Sequence, residues 1–242
     1  MKYYYLHRLV YWYKIKIGGI QEIVPYKKIA NIILLILISY PCHVSSSQES
    51  TIKIAMFGDS LIQGYGLISE EGFVSQLERA LLSKGLKVRL VNLGVSGDTT
   101  SSGSERFDWS VSQDFDGLVL LLGANDMLRA TPPNITYNNL RKILNSARTK
   151  RLPTFLIGIE ATKNYGTEYK VKFDEIFSKL ATEFQVPFYR NFFHILLKNR
   201  SPEEVLADMQ EDRIHPNKNG VGKIVKDISP SVITFLKALK SN

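Results

Sequence analysis

Residues Ile52–Ser60 read IKIAMFGDS, an apolar run that ends in a Gly-Asp-Ser turn. The run Ile52–Phe57 shows almost no alternation between apolar and polar positions. Continuous runs of this kind are typical of strands that are covered on both faces, as in parallel sheets flanked by helices. We therefore predict a buried β-strand that places Asp59 and Ser60 at its carboxyl end.

Similar elements follow along the rest of the chain. Short apolar runs alternate with longer amphipathic stretches, which predicts a parallel sheet with helices on both faces. The expected architecture is a three-layer α/β/α domain with about five strands over residues 47–242. The further predicted strands are Val88–Leu93, Gly117–Leu122, Thr154–Ile159 and Val186–Tyr189, and the predicted helices are Phe73–Lys84, Tyr137–Lys150, Tyr169–Phe184 and Gly220–Leu239.

Polar and small residues follow the predicted strands at the positions where α/β proteins bind ligands. In open parallel sheets the binding crevice lies outside the carboxyl ends of the strands. Gly58–Ser60 follows the first strand, Gly94–Thr99 the second and Gly123–Asp126 the third. A further polar turn, Asp212–His215, precedes the last predicted helix. This order gathers the reactive residue types at one edge of the sheet, among them Ser60, Asn125 and His215.

The chain has four histidines, and three of them are poorly placed for catalysis. His7 and His43 lie in the N-terminal segment. His194 stands in the largely apolar run 191–197, which predicts a packed or hydrogen-bonded structural histidine. His215 sits instead in a polar turn before a helix, so it is the candidate general base.

A hydrolytic site needs a nucleophile, a base and donors for the developing oxyanion. Ser60 is the candidate nucleophile, because a serine hydroxyl requires an adjacent base such as His215. Asp212, three residues before His215, is spaced to orient the imidazole. The candidate oxyanion donors are the N–H groups of Ser60 and Gly97 and the side-chain amide of Asn125. Each donor residue alone is better explained by a cap or a turn, so the hypothesis depends on their joint occurrence.

The N-terminal segment has the composition of a targeting sequence. Residues 1–46 contain six basic residues and one acidic residue, so they hold +5 of the chain's net charge of +8. This distribution argues against a nucleic-acid-binding surface. Lys27-Lys28 precede the apolar run Ile29–Tyr40, whose 12 residues are short for a membrane span and typical of a secretory signal. We expect residues 1–46 to direct export to the periplasm or the exterior, with an uncleaved signal-anchor as the alternative.

Taken together, the motifs resemble the sequence blocks of the SGNH (GDSL) hydrolases. The matching segments are Gly58–Leu61 (GDSL), Gly97, Gly123–Asp126 (GAND) and Asp212–Asn217 (DRIHPN), in the family's order. The resemblance spans about residues 52–240. It is closer to the bacterial periplasmic branch that is described as acyl-CoA thioesterase, lysophospholipase or arylesterase.

The resemblance implies a flavodoxin-like fold and a role for each candidate residue. It implies that Ser60 is the nucleophile, His215 the general base and acid, and Asp212 the orienting carboxylate. It also implies that Ser60, Gly97 and Asn125 form the oxyanion hole.

The expected substrate is a small-molecule acyl ester or thioester, with lysophospholipids included in the class. Met127, Leu128 and Pro132 follow Asn125 and offer apolar surface for an acyl chain. Two alternatives stay open, a carbohydrate O-acetyl esterase and a non-catalytic lipid- or carbohydrate-binding relative. Because no triad position is lost, the enzyme is favoured over the binding protein.

The sequence shows no metal-ligand cluster and no dinucleotide-binding fingerprint, so we expect no metal and no cofactor. We infer no nucleic acid and no obligate protein as a partner. The single cysteine, Cys42, precedes the predicted domain, which excludes a cysteine nucleophile there. Two departures from the resembled family concern the substrate. Arg213 stands where glycine is usual, and Glu160–Lys163 replaces a stretch that commonly contains arginine and proline.

Overall fold

The computed structural model describes residues 12–17, 20–25 and 50–240. The chain divides into two compact units, Met1–Gln48 and Glu49–Asn242. In the first unit, strands β1 (Trp12–Ile17) and β2 (Ile20–Pro25) form an antiparallel pair. The predicted secretory signal lies outside the described residues.

The second unit is built on a parallel sheet of five strands. They are β3 (Ile52–Gly58), β4 (Val88–Gly94), β5 (Gly117–Leu121), β6 (Thr154–Ile157) and β7 (Phe188–Tyr189). Their spatial order is β4–β3–β5–β6–β7, and every neighbouring pair is parallel. This order is that of flavodoxin-like folds, so the predicted fold class is confirmed.

Helices cover both faces of the sheet and complete the three layers. In chain order they are α1 (Ser60–Gln63), α2 (Phe73–Ser83), α3 (Thr100–Ser110), α4 (Ala124–Leu128), α5 (Pro133–Thr149), α6 (Gly166–Phe184), α7 (His194–Leu197), α8 (Pro202–Leu206) and α9 (Lys218–Leu239). Helix α2 packs against α9, whereas α5 packs against both α3 and α6. Among the described residues, no helix combines the length and the apolar character that crossing a bilayer requires.

The opening apolar run forms the central strand β3. Residues Ile54–Phe57 of this strand are completely inaccessible to solvent, as the continuous apolar pattern predicted. Gly58 ends the strand beside β5, where a Cβ atom would lie 2.0 Å from the carbonyl oxygen of Leu121. Only glycine permits this close approach of the two strands, and the approach sets the start of the turn that carries Ser60.

Several element boundaries differ from those predicted. Helix α5 begins at Pro133, before the predicted Tyr137, because proline is well tolerated in a first helical turn. Strands β6 and β7 are shorter than their apolar runs. Helix α3 was not predicted at all, because Thr100–Ser104 are mostly hydroxyl-bearing residues with no apolar periodicity.

Candidate active site

Ser60 lies at the carboxyl end of β3 and is the first residue of α1. Asp59 caps this helix, since its Oδ1 accepts the Leu61 N–H at 3.0 Å. The cap fixes the turn between strand and helix. Ser60 itself is only 8% exposed, yet it lines a cleft at this edge of the sheet. The structure therefore holds the Ser60 backbone in the core and places its side chain at the cleft.

His215 and Asp212 complete a hydrogen-bonded row with Ser60. The Nε2 atom of His215 lies 2.8 Å from Ser60 Oγ, and its Nδ1 atom lies 2.6 Å from Asp212 Oδ2. The second carboxylate oxygen of Asp212 accepts the N–H groups of Ile214 and His215 at 2.9 and 3.0 Å. Burial alone would raise the pKa of Asp212, but these hydrogen bonds lower it below its ordinary value. Asp212 is thus ionised at neutral pH and faces the imidazole.

The three expected oxyanion donors lie around the same cleft. The N–H groups of Ser60 and Gly97 donate to no acceptor among the described residues, so both are available to bind an oxyanion. Gly97 adopts a left-handed φ of +84°, which favours glycine. The Asn125 amide donates one hydrogen to the Asp98 carbonyl at 2.9 Å. Since an amide nitrogen carries two hydrogens, the other is left for a ligand.

An apolar cleft of about 440 Å³ opens beside Ser60 and His215. Met127 and Leu128 line it, as predicted, but the prediction for Pro132 is wrong. Pro132 is exposed at the start of α5, because the chain leaves the cleft through the preceding turn. The sequence did not predict the rest of the apolar lining, which consists of Ile159, Phe193, Leu196, Leu197, Val205, Leu206, Met209 and Ile214.

Comparison with known proteins agrees with this geometry. Residues 56–222 match the GDSL-like lipase/acylhydrolase family. The chain belongs to this family. An arylesterase of Vibrio mimicus is 34% identical to it over 207 residues, which cover 84% of this chain and 98% of the relative.

Two further relatives are also described as hydrolases of esters or thioesters. The thioesterase 1/protease 1/lysophospholipase L1 of Escherichia coli is 34% identical over 170 residues, covering 69% of this chain and 76% of the relative. The crystal structure of AlinE4, an SGNH-hydrolase family esterase, superposes with a TM-score of 0.63 at 34% identity. That match covers 78% of this chain and 98% of AlinE4. The predicted SGNH/GDSL membership and ester-hydrolase class are confirmed.

In this GDSL hydrolase, a buried ion pair connects two parts of the site. One is the turn Gly58–Ser60, which carries the nucleophile, and the other is the loop that contains Gly97 and Asp98. Arg106 on α3 bonds Asp98 with 2.5 Å between Nε and Oδ2, and it also donates to the Gly58 carbonyl at 2.9 Å. Its guanidinium lies 4.0 Å from the centre of the Phe57 ring. Sequence reasoning missed Arg106, because the weak amphipathic pattern of α3 gives no sign that this arginine is buried.

A second buried carboxylate anchors the turn that carries Asn125. Asp126 accepts the backbone N–H of Thr100 at 2.7 Å and its hydroxyl at 2.6 Å. The hydroxyl of Thr136 donates to the same carboxylate at 3.3 Å. Asp126 therefore joins the starts of α3 and α4 to α5 and fixes the Asn125 amide at the cleft.

Tyr65 and Gln210 hold the turn that contains His215. The Tyr65 ring lies 4.8 Å from the His215 ring, with 39° between their planes. Gln210 donates its side-chain amide to the Tyr65 carbonyl at 2.8 Å, and its backbone N–H to the His215 carbonyl at 2.8 Å. The sequence analysis did not single out Tyr65, because nothing in the pattern indicates its contact with the base.

Asp59 is a buried carboxyl directly before the nucleophile. Its side chain is inaccessible to solvent, and its Oδ2 atom has no hydrogen-bond partner of normal geometry in the described part of the chain. Burial raises the pKa of Asp59 to about 7, although the Leu61 N–H opposes this change. A carboxyl with this pKa keeps its proton at mildly acidic pH, so the buried turn before Ser60 then carries no charge on Asp59.

His194 does not take part in the site. It is exposed at the start of α7 and does not line the cleft. The prediction of a packed or hydrogen-bonded structural histidine is therefore wrong. The neighbours Phe192 and Leu196 are buried instead, because the short helix turns His194 away from the core.

Proposed function

We propose that Ser60, His215 and Asp212 are the catalytic triad of this ester hydrolase, and that its substrates are acyl esters and thioesters. The observation that carries the proposal is the unbroken row of short contacts from Ser60 Oγ to His215 Nε2, and from Nδ1 to Asp212 Oδ2. Nucleophile, base and orienting group in direct contact are the arrangement that acyl transfer from serine requires.

Acylation begins when Ser60 Oγ attacks the carbonyl carbon of the ester. His215 Nε2 accepts the hydroxyl proton, and Asp212 stabilises the resulting imidazolium. The N–H groups of Ser60 and Gly97 and the Asn125 amide bind the negatively charged oxygen of the tetrahedral intermediate. When the bond to the leaving oxygen or sulfur breaks, His215 returns the proton to that atom, and an acyl-Ser60 ester remains.

Deacylation repeats these steps with water as the nucleophile. His215 removes a proton from the water while the oxygen attacks the acyl carbon. Collapse of the second intermediate breaks the bond to Ser60 Oγ, and His215 protonates the serine. The products are a carboxylic acid and the free enzyme, so the cycle needs no group besides the residues named and water.

The cleft supports an acyl chain as the bound part of the substrate. Five of the exposed large apolar side chains of the described residues line it, which is an unusual concentration for a water-facing surface. They are Tyr65, Leu128, Leu197, Leu206 and Ile214. A sugar would find few polar partners along such walls, so the O-acetyl esterase alternative is not favoured. The relatives named as arylesterase and as thioesterase and lysophospholipase are consistent with this choice.

Esters with longer acyl chains should be hydrolysed with a higher kcat/KM. Leu197 lines the cleft from α7, a helix separate from the one that carries Ser60, so a longer acyl chain meets apolar surface from more than one element. Each methylene that enters an apolar site gains about 0.8 kcal/mol, or up to about fourfold in kcat/KM. We expect kcat/KM for p-nitrophenyl esters to rise from acetate to medium chains and then to level off.

Leu197→Asp should flatten this dependence, because it places a charge on the apolar wall of the cleft. Leu82→Asp is the matched control, since Leu82 is 48% exposed and Leu197 53% exposed, and Leu82 lies outside the cleft. The control should keep the chain-length profile of the parent enzyme. A flat profile in the parent, or an unchanged one in Leu197→Asp, would rule out the cleft as the acyl site.

We propose in addition that the enzyme is exported and that its catalytic domain begins near residue 47. The support is the basic pair Lys27-Lys28 followed by the apolar run Ile29–Tyr40 and a serine cluster. Intact mass measurement of the protein in cell fractions should find it outside the cytoplasm. A soluble cytoplasmic product that retains Met1 would overturn this proposal.

A further inference from the structure

Arg213 places a positive charge at the cleft, directly between the proposed triad acid and base. Its side chain is exposed and lines the cleft. Among the described residues, the Arg213 guanidinium has neither an ion-pair partner nor a hydrogen-bond acceptor. Arginine presents a planar set of donors that matches carboxylate and phosphate groups, so a free guanidinium here is ready to bind an anion.

The other charged groups that line the cleft are already compensated. Glu160 forms an ion pair with Arg190 at 2.9 Å, and the Asp212 carboxylate behind His215 accepts hydrogen bonds from the Ile214 and His215 N–H groups. The positive charge of Arg213 therefore stands at the rim of the cleft without an ion-pair partner among the described residues.

The turn itself does not explain an arginine at this position. Arg213 has a φ of +58°, a left-handed conformation in which glycine is less strained than any residue with a Cβ. Its only bond in the turn is made by the backbone, whose N–H donates to the Gln210 carbonyl at 2.9 Å. Glycine would make the same bond, so the side chain is what distinguishes arginine here.

The chemistry of the proposed reaction places the leaving group next to Arg213. His215 has to protonate the departing oxygen or sulfur, so that atom must lie beside the imidazole. Arg213 is on the same short turn, whereas most of the apolar wall comes from other segments. An anionic group on the leaving side would then lie near the guanidinium, while the acyl chain occupies the apolar part.

We propose that Arg213 binds a phosphate of the leaving group and thereby selects substrates that carry one. The proposal rests on the proposed function, since it assigns the leaving side of the same site. In a glycerophosphate ester, only the glycerol carbons and one oxygen separate the phosphorus from the ester oxygen. In an acyl-CoA, the whole pantetheine arm intervenes. The position of Arg213 beside the base therefore favours the glycerophosphate.

The test compares substrates that carry phosphate on the leaving group with substrates that lack it. We would measure kcat/KM for octanoyl glycerol phosphate against monooctanoylglycerol, and for octanoyl-CoA against octanoyl-N-acetylcysteamine. Arg213→Gly is the main variant, because glycine suits the left-handed turn. Arg213→Lys restores the charge, and Arg89→Gln removes an exposed arginine outside the cleft.

Arg213→Gly should lower the ratio of the two glycerol esters by about three- to tenfold, and Arg213→Lys should recover part of it. Raising the ionic strength from about 10 mM to about 150 mM should lower the same ratio in the parent enzyme, since the Debye length falls from about 30 to about 8 Å. Arg89→Gln should match the parent.

The possible outcomes separate this proposal from the function on which it rests. If substitution of Arg213 lowers the kcat/KM ratio of the two glycerol esters, the result supports binding of a phosphate close to the scissile bond. If residue 213 changes only the ratio of the two thioesters, Arg213 binds a phosphate of coenzyme A. That result overturns the proposal that it binds the phosphate of a glycerophosphate ester. Equal ratios in all variants overturn the role of Arg213, although the esters are still hydrolysed. A parent enzyme that cleaves none of the four substrates contradicts the proposed function itself.

Discussion

Ser60→Ala should lower kcat for p-nitrophenyl butyrate by about 10⁶, the loss seen when the nucleophile of a serine protease is removed. The physical reason is that no acyl-enzyme can form without Ser60 Oγ. His215 is then left without the hydroxyl that lies 2.8 Å from its Nε2. The rate that remains should come from binding and the oxyanion donors alone.

The fold should survive this change, because alanine removes a single oxygen from a side chain that faces the cleft. Thermal unfolding of Ser60→Ala should therefore resemble that of the parent. Ser96→Ala is the matched control, since Ser96 is a second serine near the cleft and its hydroxyl bonds Gln63 at 2.7 Å. Ser96→Ala should keep most of the turnover. If Ser96→Ala loses turnover while Ser60→Ala retains it, the assignment of Ser60 as the nucleophile is wrong.

Changes to the base and to its orienting carboxylate should differ in size. His215→Ala removes the proton acceptor, so kcat should fall nearly as far as in Ser60→Ala. Asp212→Asn should cost roughly 10²–10⁴, at or below the loss known for the same change in a Ser-His-Asp protease. The amide favours the wrong imidazole tautomer, but the turn holds the ring partly without the charge. The Ile214 and His215 N–H groups still have an oxygen to bond, and Tyr65 still contacts the ring.

His194→Ala is the control for this series. Because His194 is exposed and outside the cleft, its removal should change neither kcat nor the unfolding temperature appreciably. Steady-state kinetics on the three variants, with circular dichroism to verify folding, decide the matter. The proposed triad is wrong if a folded His194→Ala enzyme is inactive while His215→Ala still turns over.

The sequence predicted the fold well where the pattern reports burial directly. The run Ile52–Phe57 is continuous in its apolar character, and it became a strand with both faces covered. The alternation of such runs with amphipathic stretches predicted the three-layer α/β/α domain, and the family resemblance implied its flavodoxin-like form. Helix α3 was missed for the opposite reason, since its hydroxyl-rich first turn carries no apolar stripe and is stabilised by Thr99 and Asp126.

For the site, local motifs were more informative than tertiary contacts. Ser60, Asp212 and His215 stand in short motifs whose chemistry is readable, and the structure brings them together. Arg106 and Gln210 act across distant parts of the chain, and single-sequence reasoning has no means of pairing them with Asp98 or Tyr65. Pro132 and His194 were misplaced because an apolar neighbourhood in sequence does not specify which way a side chain points.

The most direct test of the account is to label the folded enzyme with a fluorophosphonate and to map the adduct by peptide mass spectrometry. A phosphonate that reacts with an activated serine should be found on Ser60. The labelling should be lost in Ser60→Ala and strongly slowed in His215→Ala. An adduct on any other residue, or labelling that persists in folded Ser60→Ala, would contradict the central claim that Ser60 is the nucleophile.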